Sequence, residues 1–219
     1  MVLNDNFDER VVIDTLKSAW VPSPALGVER NMLERLGGED ARATSIVRYA
    51  PGSSFALHEH PLGEEFLVLS GVFSDEYGDY PAGTYVRNPP GSKHAAFSKE
   101  GCDIFVKVRQ FDIADTNRVV IDTKSAEFRQ GLVPGLKVLP LHEFGTEHAA
   151  LVRWAPGTKF QPHTHWGGEE ILVLEGVFSD EHGDYPAGTW IRSPHMSVHK
   201  PYSEPGCLIY VKVGHLAGS

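Results

Sequence analysis

Short apolar runs, cut every few positions by Gly, Pro or Asp, set the rhythm of this chain. SIVRY (45–49), EEFLVLSGVFSDE (64–76), TYVRN (84–88) and CDIFVKV (102–108) are rich in the β-branched and aromatic residues that suit strands. Turn signals bound them, among them Pro51-Gly52 and Tyr77-Gly78-Asp79-Tyr80. The same set recurs as LVRW (151–154), EEILVLEGVFSDE (169–181), TWIRS (189–193) and CLIYVKV (207–213), and RVVIDT occurs at both 10–15 and 118–123. Helical periodicity is scarce. Met32–Leu36 fits one helical turn, but the equivalent stretch of the second copy carries Pro140, which a helix interior does not accommodate. The pattern predicts about eight short strands per half, the content of a double-sheet jelly roll.

The two copies align without a gap from Pro51 and Pro156 to Val108 and Val213, at roughly 60 % identity, so the chain is an internal duplication. Two tandem domains follow, 1–112 and 113–219, with FDIADTN (111–117) as the natural linker. Composition then narrows the function. Against 20 basic residues stand 29 acidic ones, a net charge of −9, which argues against a nucleic-acid partner. No apolar run reaches the length of a membrane span, and the N-terminus has no signal-peptide pattern. Cys102 and Cys207 occupy equivalent places, one per domain, and read as small core residues; with the rest this points to a reducing, cytoplasmic setting.

The candidate chemistry lies in the repeated stretch. On a strand, residues i and i+2 face the same side, so His58 and His60, and likewise His163 and His165, can aim two imidazoles at one point. A short turn (PLG or WGG) then brings back a carboxylate, Glu64 or Glu169, and a third imidazole follows at His94 or His199. Three His and one Glu suit a divalent transition metal such as Zn, Fe, Mn or Ni, one per domain. Glu65 and Glu170 compete for the carboxylate role, but alternation sends them to the opposite face. Arg87 and Arg192, with Tyr85 and Trp190, either line the pocket and steer an anionic substrate or point outward from a strand. His195 is a possible addition to the second site. His142, His148, His182 and His215 fall outside the pattern and read as solvent-facing.

These segments resemble the two signature motifs of the cupin superfamily. G-x5-H-x-H-x3-E-x6-G matches Gly52, His58, His60, Glu64 and Gly71, and again Gly157, His163, His165, Glu169 and Gly176. The second motif matches Gly83, Pro89, Gly91 and His94; in the other copy Gly188, Pro194 and His199 fit, while Met196 replaces the Gly. The short DE-x-GDYPAGT connection makes the chain similar to the ChrR cupin-like subfamily. The resemblance implies an all-β protein of two tandem cupin jelly-roll β-barrels, a bicupin, with His58, His60, Glu64, His94, His163, His165, Glu169 and His199 as metal ligands. It also implies a small-molecule substrate or ligand and a homodimer. The resemblance implies three functions: a metal-dependent oxidoreductase, specifically a dioxygenase; a ChrR-like anti-sigma regulator or zinc stress sensor; and a non-catalytic metal module. A sigma-factor partner fits poorly, because the His-x3-Cys-x2-Cys zinc motif and helical domain of such regulators are absent from the sequence.

Overall fold

The computed structural model describes residues 2–216, and every regular element among them is a strand. The chain divides into two compact units. The first contains Ala19–Ala126 with the residues up to Asp5; the second contains Asn6–Ser18 and the chain from Glu127 onward. Strand β1 (Val11–Asp14) therefore packs in the second unit, although it comes from the first repeat. The units of packing are offset from the sequence halves 1–112 and 113–219.

In the first unit the main sheet uses β2 (Val28–Leu36), β3 (Ala43–Tyr49), β5 (Glu64–Asp75), β7 (Thr84–Asn88), β9 (Cys102–Val108) and β10 (Val119–Asp122). Between them lie β4 (His58–His60), β6 (Gly78–Pro81) and β8 (Ser92–His94). The order across the sheet is β2-β3-β9-β5-β7-β10, all antiparallel, and β4 pairs with β8 as a separate ribbon. Met32–Leu36 is extended, part of β2, with no helical turn.

The second unit repeats this with β11 (Leu136–Phe144), β12 (Glu147–Trp154), β14 (Glu169–Asp180), β16 (Thr189–Ser193) and β18 (Cys207–Val213). β13 (His163–His165) and β17 (Ser197–His199) form its ribbon, and β15 (Gly183–Pro186) pairs with the end of β14. β1 takes the edge beside β16 that β10 takes beside β7: Val12 lies opposite Ile191, as Val120 lies opposite Val86.

The twelve-residue β5 and β14 are the organising elements. Each pairs in the main sheet over its first half, slips register by one residue near Val68 or Val173, and leaves with the hairpin over its second half. Gly71 and Gly176 sit at the bend with φ of +68° and +70°, and a Cβ there would lie 2.0 Å from the carbonyl oxygen of Gly101 or Gly206. Only glycine fits. Around this bend the inward faces form one apolar core per unit, with Tyr49, Phe66, Phe73, Val86 and Ile104 in the first. Trp154, Ile171, Phe178, Ile191 and Ile209 take their places in the second.

Cys102 and Cys207 are free and buried, and burial pushes both thiols up to about 11 from 9.0. Less thiolate is then present near neutral pH, and the thiolate is the reactive form. At pH 8 the native protein is expected to leave both thiols unreacted toward a disulfide reagent on the timescale in which urea-unfolded protein reacts fully. Prompt labelling of the native chain would contradict this core placement. Among the described residues no helix is long and apolar enough to cross a membrane.

Candidate metal centres

The ribbon register creates the candidate sites. In the antiparallel pair β4–β8, His58 lies directly opposite His94; in β13–β17, His163 lies opposite His199. Two residues along, His60 and His165 come from the same face of the same strand. The turn that follows closes on Gly63 or Gly168, with φ of +72° and +73°, whose N–H donates to the carbonyl of His60 or His165 at 3.1 Å. That reversal brings Glu64 or Glu169 back at the head of β5 or β14. A second turn seals the ribbon from the other side: Gly91 (φ +81°) and Met196 (φ +62°) each donate an N–H to the same carbonyl at 2.9 Å.

All four expected side chains of the second unit come together. The donor atoms of His163, His165, Glu169 and His199 lie within 4.8 Å of one another. In the first unit His58, His60 and His94 meet that spacing, and Glu64 Oε2 is 3.6 Å from His60 Nε2 and 3.5 Å from His94 Nε2. The Nε2 atoms of His60 and His94 are themselves only 3.1 Å apart. Asn88, opposite Glu64 in the sheet, donates to the same Oε2 at 3.3 Å; Ser193 stands at that place in the second unit.

The ring orientations favour ligation. Nδ1 of His58 and of His163 each lies about hydrogen-bond distance from a backbone carbonyl, Ala56 O at 2.9 Å and Gln161 O at 3.0 Å. His94 Nδ1 faces the buried Asp75 carboxylate at 3.2 Å, and His199 Nδ1 faces Asp180 at 3.5 Å. An Nδ1–H donated outward leaves the Nε2 lone pair aimed inward, the arrangement typical of metal-bound histidine. Asp75 and Asp180 end the same strands that begin with Glu64 and Glu169, so one bent strand supplies both a candidate ligand and the support for another.

Titration fits the same picture. Burial depresses His60, His163 and, to about 3, His165, which keeps these imidazoles neutral as ligation requires. His94 is held up instead, because Asp75 and Glu64 outweigh burial. Burial pushes Glu169 up to about 7, whereas the three imidazoles around Glu64 overcome its burial and hold it low. In the second unit His165 Nε2, His199 Nε2 and Glu169 Oε2 are buried with no hydrogen-bond partner. Three such atoms facing one point are costly unless something binds there, and nitrogen with carboxylate oxygen is a donor set for a divalent transition metal.

Other expectations need correction. Arg87 and Arg192 neither line a pocket nor point outward: both are fully buried. Arg87 bonds Glu65 at 2.7 Å and Asp115 at 2.6 Å and lies 3.6 Å over the Phe111 ring; Arg192 donates to Asn6 O at 2.8 Å and stacks on Phe7. At Arg87 a buried carboxylate beside a buried guanidinium is the reason, since neither group can be dehydrated alone. Glu65 and Glu170 therefore face away from the sites, bonded also by Tyr85 and Trp190. The segment 111–117 is no plain tether, because Phe111 and Asp115 are buried in that network. His215 is not solvent-facing but buried against Glu170 at 3.1 Å. His195 stands outside the donor group; its Nδ1 accepts from Gly167 N at 2.8 Å. Asp75 and Asp180 were missed, although FSDE recurs unchanged in both copies.

A family model described as ChrR Cupin-like domain matches residues 8–112 and again 116–217. No curated protein matches the chain. Among solved structures it is similar to a candidate dioxygenase from Nostoc punctiforme, with TM-score 0.79 and 15 % identity over 94 % of this chain and 82 % of that one. It is also similar to protein Ylba from E. coli, with TM-score 0.73 and 18 % identity over 95 % and 92 %. Lactobacillus farciminis oxalate decarboxylase, solved as a formate complex, aligns with TM-score 0.65 and 13 % identity over 93 % and 86 %. At these identities the likeness concerns the fold, an all-β chain with two cupin domains.

Proposed function

The chain belongs to the ChrR cupin-like domain family, and from that premise we propose a divalent-metal-dependent oxidoreductase, a dioxygenase acting on a small organic molecule. The observation that carries it is the convergence of three imidazoles and one carboxylate beside a partly open cavity. In the second unit that cavity has a volume of about 110 Å³, and His163, Glu169 and His199 form part of its wall. The rest is apolar, including Trp154, Phe160, Phe178 and Ile209, with no Lys or Arg. Such walls suit a small molecule of low charge.

His58, His60, Glu64 and His94 would hold one metal ion, and His163, His165, Glu169 and His199 the other. A bound divalent ion of this kind supplies Lewis acidity and a redox partner for O2. The protein's own part is to keep His60, His163 and His165 neutral by burial and to hold the Nδ1 protons of His94 and His199 toward Asp75 and Asp180. Two buried free thiols suit the reducing, cytoplasmic setting of this reading, and pairing of two chains belongs to it as well.

One observation favours a second reading. Four donors are also the complement of a closed tetrahedral zinc site, as in a zinc-binding stress sensor or regulator. Metal analysis of anaerobically purified protein, with O2 uptake over a panel of β-diketones and hydroxyketones, separates the two. Iron or another redox metal with substrate-dependent O2 uptake is expected. Stoichiometric zinc, with no uptake by the iron-loaded protein, would leave only the regulator or binding module.

A further inference from the structure

Behind each site stands a buried aspartate, and behind each aspartate an arginine from the RVVIDT segment. In the second unit Arg10 Nη2 lies 3.0 Å from Asp180 Oδ2 and 2.8 Å from the Tyr185 hydroxyl. That hydroxyl donates to Asp180 Oδ1 at 2.8 Å. In the first unit Arg118 Nη2 donates to the Tyr80 hydroxyl at 2.8 Å, and Tyr80 donates to Asp75 Oδ1 at 3.1 Å. Arg118 Nε also reaches Asn88 Oδ1 at 3.4 Å, and Asn88 bonds Glu64. The aspartate side chains are 1 % and 0 % exposed, so these partners set their direction.

Resting on the metal reading above, we propose that Arg118 and Arg10 are positioning residues of the two metal centres. Each acts through a tyrosine hydroxyl and a buried aspartate on the last histidine of the set. Each is carried there by the RVVIDT segment of the other repeat: Arg118 serves His94, and Arg10 serves His199. The motif residues of a repeat are therefore not a complete centre. The arginine and tyrosine hold the aspartate in place, the aspartate fixes the Nδ1–H, and the Nε2 lone pair points inward. The relays differ in one respect. Arg10 touches its aspartate directly, whereas Arg118 stands one hydroxyl away and adds a second arm through Asn88 to Glu64. Arg118 therefore supports two donors and Arg10 one.

The test uses the full-length chain and Co(II) alone as probe, read by its visible absorption and by competition titration. One background carries His163→Ala and His165→Ala, leaving only the first site; the other carries His58→Ala and His60→Ala, leaving only the second. Arg118→Ala is expected to weaken Co(II) binding in the first background by about 10–100-fold, the usual loss for a supporting partner, and to shift the absorption band. Arg10→Ala is expected to do the same only in the second background, by a smaller factor. Tyr80→Phe, which keeps the ring in place, is expected to reproduce the band shift, and Arg118→Lys to recover part of the affinity. The inference is overturned if each arginine affects the site of its own repeat. It is equally overturned if the affinities and bands stay put while the variants remain folded by circular dichroism. Failure of the unaltered chain to bind Co(II) would instead bring down the metal reading itself, and this inference with it.

Discussion

Exchange of His94 for alanine is expected to remove the metal of the first unit while leaving that of the second, halving the metal content of the chain. His94 is the hub of its cluster: its Nε2 lies 3.1 Å from His60 Nε2 and 3.5 Å from Glu64 Oε2, and its Nδ1 is tied to Asp75. Removing it deletes a donor and strands the aspartate that orients it. The loss should exceed the 10–100-fold seen when only a supporting partner is removed. His199→Ala should act in mirror image, sparing the first unit. Elemental analysis after exhaustive dialysis reads the outcome directly. If His94→Ala keeps its full metal complement, the ribbon histidines are not the ligands.

Replacement of Arg87 by methionine is expected to destabilise the first unit by about 3–5 kcal/mol. Arg87 is 1 % exposed, and its guanidinium bridges Glu65 and Asp115, themselves buried. Methionine fills the stem's volume but leaves two carboxylates in an apolar interior without their cation. The Arg48–Asp103 pair provides the contrast. It is nearly as short, at 2.8 Å, but its side chains are 47 % and 24 % exposed, so loss of this ion pair should cost less than about 1 kcal/mol. Urea denaturation of Arg87→Met and Arg48→Ala measures the difference. Adding Glu65→Gln and Asp115→Asn to the methionine variant should restore part of the loss. Equal midpoints for Arg87→Met and Arg48→Ala would show that the buried network is not what holds this edge.

The donor set was legible because metal chemistry needs particular atoms at particular spacings, and strand alternation turns His-x-His into a geometric statement. The bent strand was legible too, since Gly71 and Gly176 interrupt otherwise unbroken apolar runs. What lay hidden depends on pairing between distant segments. Arg87 reads as a polar residue on a strand until Asp115, 28 positions on, is folded against it. His215 looks like a tail residue until Glu170 meets it. The exchange of RVVIDT between units leaves no local mark, because both copies of the segment are the same and either edge would accept either one.

Met196 shows how far a consensus can be abandoned without altering the shape it describes. Its φ of +62° belongs to the left-handed region, a conformation that costs a residue with a Cβ about 1–2 kcal/mol. The loop keeps that conformation all the same, so the surrounding barrel dictates it and the side chain merely tolerates it. A search keyed to glycine at this corner would pass over chains whose turn is intact. It would also miss that Met196 is 55 % exposed, a side chain that Gly91 cannot offer and a point of surface on which the two halves differ.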